Sequence, residues 1–309
     1  MKPRMSRACI AALLLCSCVP AFAQLTVRDD LERLVQVKQV AKRIVTLAPF
    51  LTEIVFAVGA GDRVVGVADL STYPPEADKV TKIPTGAHFS LDRLAQVKPD
   101  LVIAWRDGIR RDDIERISGF GAVVFAASAR SLEDVPRLMR TIAVLTGNDA
   151  SAQIAAYERK LDALRRDNAG KPRVGAFLEI WNRPLTTISG NHFMNEALEI
   201  CRADNVFKDM EGSAPQVTWE EVYERNPYTV IGAGSASNEE EFKSNWNVRQ
   251  ALSAVKADRL VYVDADSFMR PTPRTPDGIA LLCAGLDKVR PAAPREAARS
   301  QQRPSQYGM

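Results

Sequence analysis

SLDRLAQVKPDLVIAW, residues 90–105, is echoed 128 positions later by TWEEVYERNPYTVIGA, residues 218–233. Ser90 pairs with Thr218, Asp92 with Glu220, Leu94 with Val222, Pro99 with Pro227, Val102 with Val230 and Ile103 with Ile231. Each copy opens on a hydroxyl that suits a helix N-cap, runs through one short amphipathic helix, turns at a proline and ends in a β-branched strand. Thr218 and Glu221 also have the spacing of a capping box. One unit written twice predicts two similar lobes with this helix and strand in the same place in each.

Reading outward from the first copy, strands are expected at 43–49 (RIVTLAP), 63–69 (RVVGVAD), 100–105 (DLVIAW) and 122–127 (AVVFAA), with helical segments between them. Around the second copy the same alternation returns, with strands at 173–180 and 259–264 and helices near 239–255 and at PDGIALLCAGLDKV. Alternation at this spacing predicts α/β lobes with mainly parallel, Rossmann-like sheets. Between the lobes, Ile154, Tyr157, Leu161 and Leu164 step by three and four along a stretch without strand signals. That stripe predicts one long backbone helix, roughly 30 Å at 1.5 Å per residue. Asn148, Asp149 or Ser151 is expected to cap it, and Gly170-Lys171-Pro172 to end it.

Lys2, Arg4 and Arg7 precede an apolar run, Cys9 to Val19, that ends at Ala21-Phe22-Ala23. This is the pattern of a secretory signal peptide cut before Gln24; acylation of Cys16 or Cys18 as a lipoprotein is the alternative. The expected organisation is a leader (1–23), a helical lead-in (24–42), a first lobe (43–147), the backbone helix (148–170), a second lobe (171–290) and a disordered tail (291–309). Without the leader the chain has 38 basic and 38 acidic residues. Such a balance leaves no basic excess for nucleic acid or a membrane surface. Two cysteines remain, Cys201 and Cys283. In an oxidising compartment they form a disulfide or stay as separate buried thiols.

No constellation in the sequence points to catalysis. GAGDRV (59–64) resembles half of a dinucleotide fingerprint, but it follows a helix and opens a strand, the reverse of what phosphate binding needs. His88 and His192 have no partner at metal-ligand spacing, and no G-x-S-x-G elbow occurs. An enzyme on an α/β scaffold thus lacks positive support. The loops leaving the strands are more informative, because open α/β sheets bind ligands there. Tyr73, Trp105 and the group Asp266, Phe268 and Arg270 fall in such loops, with aromatic area for an apolar face and charges for a polar edge.

Together RIVTLAP-x-x-TE, YPP, KPDLVIAWRDG, EIC-x-x-x-NVFKD, APQV and DSFMR-x-x-PR resemble the periplasmic substrate-binding proteins of ABC importers that have a rigid backbone helix, over nearly all of 43–290. The combination is most similar to the cobalamin-binding branch, with the haem and ferric-siderophore binders of the same fold as the alternative. The resemblance implies a monomeric, non-enzymatic periplasmic protein that carries cobalamin as cargo, not as a cofactor. It implies Tyr73 and Trp105 as corrin contacts, Asp266 and Arg270 at the ligand's polar edge, and Asp92 and Glu220 as docking carboxylates for a permease dimer. It also implies a Cys201–Cys283 disulfide. Two tryptophans of the family pattern are absent here, where Gly86 and Ala214 stand. The ligating tyrosine of the haem branch is missing too, with His88 near its position as a possible metal ligand.

Overall fold

The computed structural model describes residues 25–234 and 238–291; the expected leader and nearly all of the expected tail lie outside them. The segment expected as a helical lead-in is instead an antiparallel hairpin, β1 (Leu25–Arg28) with β2 (Leu34–Val37). Its turn outcompetes a helix because the Asp29 carboxylate accepts the backbone N–H groups of Leu31 and Arg33 and pairs with the Arg33 guanidinium. Glu32 sits there at φ 61°. Val35 and Val37 alternate inward, the period of a half-buried strand.

The first lobe continues through β3 (Ile44–Thr46), α1 (Pro49–Ala57), β4 (Val64–Ala68), β5 (Lys82–Ile83), α2 (Leu91–Gln96), β6 (Leu101–Trp105), α3 (Arg111–Gly119), β7 (Val123–Ala127) and α4 (Asp134–Thr146). Its five strands are all parallel, in the order β5-β4-β3-β6-β7. The linking helix α5 spans Ser151–Asn168 and buries Ile154, Tyr157 and Leu161. The residue before its first turn is Ala150 rather than a polar cap, while the Asp149 carboxylate accepts from the Ser151 N–H. The Ser151 hydroxyl, and after it this N–H bond, lower the Asp149 pKa.

The second lobe comprises β8 (Val174–Glu179), a small β9 (Trp181–Asn182) and β10 (Leu185–Thr186) hairpin, α6 (Phe193–Ile200), β11 (Ala203–Asn205), α7 (Trp219–Arg225), β12 (Thr229–Gly232), α8 (Glu239–Asn247), α9 (Ser253–Lys256), β13 (Leu260–Tyr262), α10 (Ala265–Phe268) and α11 (Thr275–Val289). The single helix expected near 239–255 is thus two. Four parallel strands form its sheet in the order β11-β8-β12-β13.

The repeated unit occupies equivalent places. β6 lies between β3 and β7, and β12 lies between β8 and β13. The helices before them, α2 and α7, both give way to a left-handed residue ahead of the proline, Lys98 at φ 45° and Asn226 at φ 37°. Ser90 accepts from the Arg93 N–H, and Thr218 with Glu221 completes a capping box.

One core runs through both lobes, from Leu51, Ile54 and Phe125 across Tyr157 and Leu161 to Leu198, Ile231 and Leu282. The Tyr157 hydroxyl donates to the Leu132 carbonyl at 2.9 Å, and burial pushes its pKa well above the usual phenol value. Cys201, at the end of α6, and Cys283, on α11, form a disulfide with Cα atoms 4.8 Å apart. It fastens two helices of the second lobe to each other.

Candidate functional site

In an open parallel sheet the helices following two neighbouring strands leave on opposite sides where the strand order reverses, and a crevice opens there. In the first lobe that point lies between β3 and β6. Ala48, Pro49 and Phe50 leave one strand, and Trp105 and Asp107 end or follow the other. Facing them from the second lobe are Asn191, His192 and Phe193 at the start of α6, with Ser213, Met269, Arg270 and Pro271. Together with the strap Ser128–Arg130 these residues enclose an interlobe cavity of about 640 Å³.

Trp105 is 44% exposed, a large apolar surface left in water at the mouth of a cavity. Gly108 holds its ring in place: a Cβ there would lie 2.7 Å from Trp105 Cε3. Phe50 and Phe193 supply two further apolar walls, both largely buried. Two ion pairs mark the polar edge. Arg270 meets Asp266 at 3.0 Å, and Arg130 meets Asp107 at 3.3 Å.

His192 is the N-cap of α6, its Nδ1 accepting from the Met194 N–H at 3.2 Å. Burial lowers its pKa to about 4, so the ring is neutral at physiological pH. With Nδ1 accepting, the ring proton sits on Nε2, which makes His192 a hydrogen-bond donor.

Of the residues expected to meet a ligand, the fold brings Trp105 and Arg270 to this cavity, with Asp266 held against Arg270. Phe268 is fully buried in the core and cannot touch a ligand. The reason is local: Asp266 in α10 and Arg270, just past its C-cap Met269, are spaced i,i+4 and pair with each other, while the apolar 268 side chain between them turns into the core. Tyr73 lies elsewhere, with the Arg274 guanidinium 3.8 Å above its ring, lining a separate cavity of about 450 Å³ with Glu53 and Pro273. His88 is exposed at the end of the 3-10 turn Gly86–His88; among the described residues no group of three or more His, Cys, Asp or Glu could hold a metal.

His192, Phe50, Phe193 and the Asp107–Arg130 pair escaped the sequence reading. The one signal available was position: each falls within a few residues of a strand end or a helix start, where open sheets gather ligand contacts. Asp92 and Glu220 are both exposed in the first turns of α2 and α7, neither with an ion-pair partner among the described residues.

Two α/β lobes on one linking helix, with a cavity between them at the strand ends, define a ligand-capturing binding protein. The sequence profile of the periplasmic binding protein family matches residues 44–267, and the chain belongs to that family. Its relatives include the vitamin B12-binding proteins of Salmonella paratyphi A, 32% identical over 81% of this chain and 91% of that one, and of Vibrio parahaemolyticus, 28% identical over 81% and 90%. Among solved structures, the periplasmic vitamin B12 binding protein BtuF of Vibrio cholerae is 28% identical with a TM-score of 0.70, covering 81% of this chain and 98% of that one. The haem-binding RhuT of Roseiflexus sp. RS-1, 19% identical with a TM-score of 0.69 over 81% and 99%, shares the fold.

Proposed function

We propose that the interlobe cavity captures a corrinoid of the cobalamin class and that the protein delivers it to an ABC-transporter permease. The observation that carries this is the cavity itself, a flat indole and two phenyl walls edged by Arg270, Arg130 and a donating His192, in a chain whose relatives are named for binding vitamin B12. A corrin is a broad, largely apolar disc rimmed with amide side chains. Aromatic walls suit its face, and guanidinium and imidazole N–H donors suit the rim carbonyls. Trp105 and Arg270 are the contacts expected to weigh most, with Asp266 fixing the Arg270 guanidinium.

Export completes the reading: the leader is removed before Gln24, and the mature protein works as a monomer in the periplasm. Asp92 and Glu220, one carboxylate on each lobe, face basic pockets of a two-fold permease. Haem is the competing cargo. Ligation by His192 is disfavoured, because freeing its Nε2 lone pair moves the proton to Nδ1 and breaks the cap bond to Met194. Titration calorimetry of the mature protein with cobalamin and with haem tests the reading. Saturable one-to-one binding of cobalamin supports it, and binding of haem alone overturns it.

A further inference from the structure

Behind Trp105 lies a second chamber of about 420 Å³, wholly within the first lobe. Thr85, Gly86, Trp105, Arg110, Asp113 and Arg116 are among its lining residues. Trp105 also lines the interlobe cavity, so its indole borders both spaces. We propose that this chamber is a specificity site that receives an anionic arm of the ligand. On the corrinoid reading, on which the inference rests, that arm is the nucleotide loop with its phosphodiester.

Two glycines keep the chamber open. Gly108 lets the indole lie against its backbone, where any Cβ would collide with the ring. Gly86, on the facing wall, adopts φ +64°, a left-handed conformation that favours glycine, and no heavy atom lies within 4 Å of where its Cβ would stand. Two of the chamber's boundaries thus rest on backbone that carries no side chain.

The charge in the chamber selects the class of ligand. Asp113 is 7% exposed and accepts from Arg110 at 3.2 Å, while Arg116 approaches it at 3.6 Å. One carboxylate thus stands against two guanidinium groups at the solvent-exposed edge of the chamber, leaving a positive excess. Planar guanidinium forks match oxyanions such as a phosphodiester, and they hold charge at every physiological pH. The Asp113 hydrogen bond orients the Arg110 fork, which reduces the side-chain entropy lost when the anion enters.

Calorimetric titration of the mature protein with cobalamin and with cobinamide, the corrinoid without a nucleotide loop, tests this. Two variants accompany the wild type: Arg110→Gln with Arg116→Gln, which removes the charge, and Thr85→Trp, which fills the space. Wild type is expected to bind cobalamin about tenfold or more tighter than cobinamide, the worth of a charge-assisted hydrogen bond. Both variants should abolish that preference by weakening cobalamin alone. Equal affinity of wild type for the two corrinoids overturns the inference while leaving the corrinoid reading intact, and so do variants that weaken both ligands alike or neither. A wild type that binds neither corrinoid overturns the corrinoid reading itself, and the inference falls with it.

Discussion

The carboxylate of Glu53, on α1 of the first lobe, receives both Nε and Nη2 of Arg274 from the second lobe, at 2.8 and 2.9 Å. Glu53 is only 3% exposed, and the bond to Glu53 raises the Arg274 pKa further. Arg274 also covers the Tyr73 ring and reaches the Asp266 carbonyl at 3.4 Å, so one guanidinium joins the lobes beside the segment that carries Arg270. Removing it strands a buried carboxylate. Arg274→Met should cost on the order of 3 kcal/mol in denaturant unfolding, and Glu53→Gln in the same chain should recover part of it. A single variant as stable as wild type would show that the pair does not hold the lobes.

This pair, the shared core and α5 together leave few residues free to hinge. Small-angle scattering with and without ligand should therefore give nearly the same radius of gyration. A contraction like that of a closing clamshell would contradict the arrangement.

Trp105→Ala should weaken ligand binding by about 1–3 kcal/mol, as for an aromatic anchor in a desolvated site. Gly108→Ala should act in the same direction by displacing the indole that rests on it. Phe268→Ala belongs to a different class: it should destabilise the fold by about 3–5 kcal/mol, the cost of emptying a core site. Calorimetry and melting curves on the same three proteins separate the two behaviours.

His192 makes stability depend on pH in a defined window. Its folded pKa, about 4, lies below the ordinary value of 6.5, so the unfolded chain binds the proton more readily. The stabilisation of the neutral, capping ring is complete above pH 6.5 and is lost as pH falls towards 4, by at most about 3 kcal/mol. His192→Asn keeps a cap without an ionisable ring, and its unfolding free energy should vary less across that window. An unchanged slope would assign the pH dependence to other groups.

Charge reversal at Asp92 and Glu220 should reduce complex formation with the permease and leave ligand affinity in solution untouched. The wild-type contact should itself weaken with added salt. Each carboxylate also complements its helix terminus, so a stability loss of roughly 0.3–1 kcal/mol per site accompanies the change. Normal permease binding by both variants would leave only that structural role.

Local patterns determined much of this protein. The β-branched runs became the parallel strands around Val102 and Val230, the stripe of Ile154, Tyr157 and Leu161 became the buried face of the linking helix, and Thr218 with Glu221 became the capping box. Periodicity and caps act within a few residues, so they can be read without knowing the rest of the chain. What lay outside that range was decided by tertiary structure. Residues 25–37 turn through the local Asp29 bonds, and the hairpin then docks on the first lobe, where the Asp30 carboxylate accepts the Ser128 N–H across 98 residues. Phe268 turned inward while Arg270 faced the cavity, a division that depends on how one helical turn sits on the core. His192, unremarkable in sequence, lines the cavity because it caps the start of α6, and its neutral ring reflects burial in the folded chain. Glu53 and Arg274 stand 221 positions apart, and nothing in the composition of either neighbourhood names the other; two packed lobes bring them together.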